Sequence, residues 1–306
     1  MSDYAPIIIF CYRRNIENLI SSLLKNQGSI NSELFIFSDG YKSQVDKNDV
    51  LNLRKSLTKI VSFKSVNIIK SEKNNGLANS IINGVKNVIN KYGKAIILED
   101  DLIVSPFFID YMNDALNFYQ YKKNIWSISG YTPSIPYLKD YKSEVYLSLR
   151  SSSWGWATWS DRFSKVDWSI KNFLELKKDK SKIKKFELGG NDLFKMLELQ
   201  HLGKIDSWAI RWCYSQFLDS AYSITPKISM TQNLGFADNL STHNKSLGSK
   251  WKVDLAEAKI TDFECIENQQ VIDAFKEFHN LSFYTKIGYF LKKWGGYKIL
   301  KKYFKN

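Results

Sequence analysis

The chain has 306 residues, 44% of them hydrophobic and 15% aromatic, with a formal net charge of +13. That composition excludes intrinsic disorder, and no apolar run is long enough to read as a membrane span. Three widely spaced cysteines, Cys11, Cys213 and Cys265, exclude a disulfide framework and a zinc site.

In chain order, Ile7 to Phe10 reads as a buried strand, and Asn15 as the cap of a helix over 16–26. A second strand at 34–37 ends in Ser38-Asp39-Gly40, and 50–60 is helical in pattern. A third strand spans 66–69. Asn74-Asn75-Gly76 is a turn into a helix over 77–90. The fourth strand, 95–98, runs into Glu99, Asp100 and Asp101, and Pro106 opens a helix through Tyr119. Strands alternating with helices predict an α/β fold, a Rossmann-like sheet with helices on both faces. Such sheets bind ligands at the carboxyl ends of their strands, where Asp39 and the triple acid fall.

The second half is less regular. Segments 126–129 and 145–149 read as strands. Residues 153–159 form an aromatic cluster, and 176–185 a lysine-rich helix or linker. A helix over 186–202 is interrupted by Gly189-Gly190, and 233–249 reads as a mobile polar loop. From 281 to 306 there are seven lysines and no acid. Ile287, Phe290, Trp294, Leu300 and Phe304 could share an apolar side there, the pattern of a basic amphipathic helix on an anionic membrane surface. An ordinary terminal helix packed on the domain is the other reading. The N-terminus lacks the basic start and apolar core of a signal peptide, so the expected location is cytoplasmic, with the tail peripheral on a membrane.

A buried strand that ends in three like charges needs positive charge nearby. A divalent cation carrying a diphosphate meets that need, since hard cations take oxygen ligands and complete their shell with substrate phosphates. The plainer alternative is a charged loop at a helix N-terminus.

Several short motifs occur in a recognisable order: Pro6 to Arg13, Phe37-Ser-Asp39-Gly40, Asn75-Gly-Leu-Ala78 and Ile97-Leu-Glu99-Asp100-Asp101-Leu102. Trp154-Gly-Trp156, Ile205-Asp206-Ser-Trp208, Pro226 to Ser229 and the 235–243 loop follow. Together they resemble GT-A-fold glycosyltransferases, above all the Golgi β-1,2-N-acetylglucosaminyltransferases and bacterial surface-polysaccharide sugar transferases related to them. The resemblance covers roughly residues 5 to 245.

It implies a GT-A domain over 1–250, with a nucleotide half (1–122) and an acceptor half (123–250), followed by a helical extension over 251–306. It also implies inverting transfer from a nucleotide-sugar donor, a UDP-sugar first among them, to a glycan or lipid-linked glycan. Mn²⁺ or Mg²⁺ is the implied cofactor. Asp101 would be the metal ligand, Asp100 would face the ribose or a metal-bound water, and Glu99 the donor sugar. Arg13 and Asp39 would hold the nucleotide, and Ser80 stands where the Golgi enzymes carry a histidine against it. Asp206 aligns with the catalytic base, which takes the acceptor hydroxyl's proton. Trp156 and Trp208 are candidates for the acceptor wall, and His243, in a loop that folds over donor, for a contact with diphosphate or metal.

Each residue also has a plainer role: a surface ion pair for Arg13, an Asp-Gly turn for Asp39, a helix cap for Asp206, core packing for the tryptophans and solvent exposure for His243. A sugar nucleotidyltransferase would carry a glycine-rich loop after the first strand, and Cys11 to Asn15 has no glycine. A basic scaffold or nucleic-acid binder is the other competitor, but the chain carries no nucleic-acid motif and its charge is massed in a tail. Nucleic acid is therefore not an expected partner.

Overall fold

Strand β1 (Ile7–Cys11) is buried throughout, and its alternate side chains enter different cores. Ile7 and Ile9 join one hydrophobic cluster, and Ile8 and Phe10 another. The period of two along a strand therefore places apolar packing on both faces of the sheet. The computed structural model describes residues 4–235 and 248–280.

The first half follows the predicted alternation. It runs α1 (Glu17–Leu24), β2 (Glu33–Ser38), α2 (Gln44–Leu57), β3 (Ser65–Lys70), α3 (Leu77–Tyr92) and β4 (Lys94–Glu99). A three-residue strand β5 (Leu102–Val104) and helix α4 (Phe108–Phe118) follow. Helix α2 begins six residues earlier than the apolar pattern implied, because its first turns are polar and solvated. Helices α1, α2 and α4 cover one face of the sheet, and α3 covers the other. On α3 the buried residues Ala78, Ile81, Val85, Val88 and Ile89 recur at helical spacing. Gly84 lets that helix approach β1, since a Cβ there would stand 2.6 Å from the Phe10 ring.

The second half supplies β6 (Ile125–Ser129), β7 (Val145–Ser148), β8 (Trp156–Trp159), β9 (Tyr222–Pro226) and β10 (Thr231–Asn233). Its helices are α5 (Ser160–Phe163), α6 (Phe173–Lys178), α7 (Lys180–Phe186), α8 (Leu193–His201), α9 (Trp208–Leu218), α10 (Gly248–Trp251) and α11 (Gln269–Phe278). The lysine-rich stretch is thus α6 and α7. The break at Gly189-Gly190 separates α7 from α8, Gly190 adopting φ +134°.

The main sheet has eight strands in the order β3-β2-β1-β4-β8-β6-β9-β7. Strands β3, β2, β1 and β4 are mutually parallel. Strand β8 runs antiparallel between β4 and β6, β9 is parallel to β6, and β7 is antiparallel to β9. The fold is therefore α/β with a mixed sheet. Strand β8 lies inside the aromatic cluster; all four of its residues are buried, so the sequence shows no alternation that would mark it as a strand.

Strands β5 and β10 form a separate antiparallel ribbon that starts immediately after Asp101. No helix over 252–268 accompanies the expected C-terminal extension. That segment is extended backbone sewn to the sheet domain: the Ala256 N–H donates to the Ser229 carbonyl at 2.8 Å, and Ser105 Oγ donates to the Ala256 carbonyl at 2.6 Å. Ala256, Ile260 and Phe263 join the first core. The basic tail lies outside the described residues. No helix among the described residues is long and apolar enough to cross a membrane.

Candidate functional site

The carboxyl ends of β1, β2 and β4 open on a cavity of about 450 Å³ lined by residues from Phe10 to Arg14, Asp39, Ser80 and Glu99 to Asp101. A second cavity, of about 370 Å³, lies on the other side of the triple acid and reaches Asp206, Trp208 and the C-terminal segment. Leu77, Glu99 and Asp101 line both. The acids stand at the junction because β4 delivers Glu99, the turn carries Asp100 and Asp101, and β5 leads the chain away. The β10 end closes on the same point: the Leu234 N–H donates to the Asp101 carbonyl at 2.7 Å. Gly235 fits there because a Cβ would stand 2.5 Å from Asp101 Oδ2.

The positive charge beside these acids comes from Arg14, which the sequence reading passed over. Its Nη1 lies 2.7 Å from Asp100 Oδ1 and 3.6 Å from Asp101 Oδ2. The Tyr12 N–H donates to Asp100 Oδ2 at 3.2 Å. Burial, with the charges of Asp101 and Asp100 next, pushes the Glu99 carboxyl up to about 8. The Trp208 side chain hydrogen-bonds Glu99 and opposes that rise. Burial also raises Asp100, to about 6, against the pull of Arg14. Burial pushes the Cys11 thiol well up, so this lining residue is an inert thiol.

Arg13 is committed elsewhere. It pairs with Asp46 at 2.7 Å, beside a Tyr12 hydroxyl that donates to the same carboxylate at 2.9 Å. This is the surface ion pair that was its plainer reading, although Arg13 also lines the first cavity. Asp39 is occupied by backbone. Its Oδ1 accepts the Asn75 and Gly40 N–H groups at 2.9 Å each, and its Oδ2 accepts the Gly76 N–H at 3.0 Å. The carboxylate fixes the turn before α3, where Gly76 takes φ +76° and ψ 155°, a conformation that requires glycine. Ser80, on the first turn of α3, lines the first cavity.

Asp206 is not a helix cap. Ser207 caps α9, its Oγ accepting the Ile210 N–H. Asp206 is 60% exposed on the wall of the second cavity and pairs with Arg211 at 2.7 Å. The expected acceptor wall is corrected in part. Trp156 is 1% exposed and stacks on Trp208 with ring centroids 4.9 Å apart, so its ring is core packing and presents no face to a ligand. Trp208, the other ring of that stack, is 4% exposed and lines the second cavity. His243 lies outside the described residues.

Among the described residues, no group of three or more His, Cys, Asp or Glu side chains is arranged to hold a metal alone. A hard cation bound by one carboxylate and completed by ligand phosphates needs no such group. The residues fit that kind of site: Asp101 faces both cavities, and its carboxylate and that of Asp100 already converge on the cationic group of Arg14.

No protein-family model matches this chain, and no curated protein matches it. What fold and site define without them is an α/β protein with two cavities that meet at a partly buried acidic cluster at strand ends.

Proposed function

We propose that the chain is a GT-A-type glycosyltransferase, acting by inversion on a nucleotide-diphosphate sugar and a glycan hydroxyl. The observation that carries the reading is the junction: two cavities of small-molecule size share Glu99 and Asp101. A group-transfer enzyme needs such a plan, with donor and acceptor in adjoining spaces and the reacting carbon between them. The motif order read from the sequence supports the same conclusion.

In this reading the first cavity holds the nucleoside diphosphate. Ser80 and the Asn74–Gly76 turn, fixed by Asp39, border the nucleoside. Asp101 would hold Mg²⁺ or Mn²⁺, which supplies Lewis-acid neutralisation of the diphosphate when bound. Arg14 is the chain's own cation at that point. Its planar, always-charged guanidinium suits phosphate oxygens and can exchange its carboxylate partners for them. Asp206, beside the second cavity, accepts the proton of the acceptor hydroxyl as its oxygen attacks the anomeric carbon. The bond from that carbon to the diphosphate breaks, and the nucleoside diphosphate leaves with the bonding pair. The ion pair with Arg211 orients the Asp206 carboxylate.

The test is a hydrolysis and binding screen of UDP-, GDP- and dTDP-sugars with and without Mn²⁺. Binding of at least one donor, strengthened by metal, is expected. Inertness and absence of binding across the panel would remove the reading.

A further inference from the structure

The positive charge of the chain is massed in two stretches. Residues 171–185 hold seven lysines against Glu175 and Asp179, a net +5. Residues 281–306 hold seven lysines and no acid, a net +7. Of the +13 carried by the whole chain, +1 is left for the other 265 residues. The tail lies outside the described residues, but the first stretch is the helical hairpin of α6 and α7.

The hairpin is anchored from below. Phe173, Leu176 and Phe186 are buried in one cluster with Leu193 and Leu197 of α8, and Ile183 packs against it. Ile183 and Phe186 turn inward at helical spacing, and all seven lysines are exposed. Asp179 is engaged in the turn itself, where its Oδ1 accepts the Ser181 and Lys182 N–H groups at 3.0 Å each. Lys177 pairs with Glu198 at 3.2 Å, and Lys182 stands 4.0 Å from Asp179. Among the described residues, Lys178, Lys180, Lys184 and Lys185 pair with no carboxylate, and Glu175 pairs with no lysine. Lys180 and Lys184 are four apart on α7, a like-charge spacing that destabilises a helix. Charge concentrated against the hairpin's own stability is relieved by an anionic partner.

The chemistry of the patch selects that partner. The stretch has no arginine, and its one aromatic residue, Phe173, is buried. Duplex and single-stranded nucleic acids are held through guanidinium forks and stacked rings, which this surface lacks. Lysine is a flexible point charge and suits a fluid sheet of anionic headgroups. Leu174 is 57% exposed and lies four residues before Lys178 on α6, so one helix face offers an apolar side chain beside the lysines. Apolar and basic groups side by side are what an interfacial segment presents to a bilayer.

We infer that the α6–α7 hairpin is a docking surface for an anionic lipid bilayer, separate from the basic tail. The contact is reversible and lies on the surface of the folded domain. Helix α8 joins it to the second cavity, which Leu193 and Met196 line. The inference does not depend on the glycosyltransferase reading.

The experiment keeps the full chain, so that the tail is present in every sample. Vesicle sedimentation compares phosphatidylcholine alone with phosphatidylcholine containing roughly 30% phosphatidylglycerol. The wild type is expected to bind the anionic vesicles and not the neutral ones, more weakly as salt rises. Replacing Lys178, Lys180, Lys184 and Lys185 together by Gln, which keeps helix propensity, should weaken binding roughly 10²-fold. A control that replaces Lys25, Lys55, Lys59 and Lys86 by Gln loses the same net charge from the first half of the chain and should bind within a few-fold of wild type. Circular dichroism and the melting midpoint check that both fold. Absence of wild-type binding to anionic vesicles, or equal losses in the two folded variants, overturns the inference. So does a hairpin variant that keeps vesicle binding and loses binding to a DNA duplex, which would assign the patch to nucleic acid. Nucleotide-sugar binding is read separately at the first cavity, and its failure leaves the docking surface standing.

Discussion

The two cavities are built in different ways. The first is assembled from the ends of parallel strands close in sequence: Phe10 to Arg14, Asp39, Asn74 to Ser80 and Glu99 to Asp101. Beside the shared Leu77, Glu99 and Asp101, the second draws on residues from Ser129 to His279, supplied by a strand end, an aromatic turn, the α9 terminus and a C-terminal segment. The first owes its shape to topology, which places every loop after a parallel strand on one edge of the sheet. The second owes its shape to long-range packing, with α11 and Trp251 as its outer side. The comparison predicts that mutations in the second cavity trade function against fold more often than those in the first.

The largest effect should come from Asp206→Asn. As a general base it should lower turnover by roughly 10²- to 10⁴-fold while donor binding in calorimetry is unchanged. Turnover within a few-fold of wild type would move the base elsewhere on the junction.

Trp156→Ala should destabilise the fold by about 3–5 kcal/mol in denaturant titration, because a buried indole packed between Trp208 and Trp212 leaves a cavity behind. A loss no larger than that of Trp251→Ala would erase the distinction between core and wall tryptophans.

A third measurement follows stability against pH. The His279 imidazole is held down at about 3, against 6.5 in the unfolded chain. Between those values the unfolded state binds more protons, so stability is full above pH 6.5 and falls as pH drops toward 3. The loss is on the order of a few kcal/mol, and His279→Leu should flatten that part of the profile. An unchanged slope in the variant would assign the acid sensitivity to other groups.

In the first cavity, Arg14→Gln should act in two directions. Without its guanidinium, Asp100 and Asp101 face a cation with less competition, so Mn²⁺ affinity without nucleotide should rise several-fold. Nucleoside diphosphate affinity should fall by about tenfold, as expected for one lost charge-assisted contact. Mn²⁺ magnetic resonance and calorimetry read the two separately, and movement in the same direction would contradict the exchange of partners.

The unequal construction also explains what the sequence disclosed. Strands β1 to β4 were legible because short apolar runs ended in turn residues or acids, and their parallel pairing followed from the helices between them. Asp39 and the triple acid were placed correctly at strand ends. Arg14 was missed because nothing local distinguishes it from Arg13; only the pairing of β1 with β4 decides which arginine meets Asp100. Strand β8 was hidden because burial on both faces removes alternation. Trp156 read as wall because an indole suits core and ligand equally, and its neighbours Trp208 and Trp212 come from a helix some fifty residues on. Trp251, Phe275 and His279 carried no motif; long-range packing brings Trp251 against Trp154, with His279 between Trp251 and Phe275.

The central claim is that the cavity at the strand ends binds a nucleotide diphosphate through a cation on Asp101. Calorimetric titration of UDP-, GDP- and dTDP-sugars, with and without Mn²⁺, into the wild type and a folded Asp101→Asn tests it most directly. The account predicts metal-enhanced binding of at least one donor in the wild type and loss of that enhancement in the variant. Metal-indifferent binding that survives in Asp101→Asn, or no binding by the wild type, would contradict it.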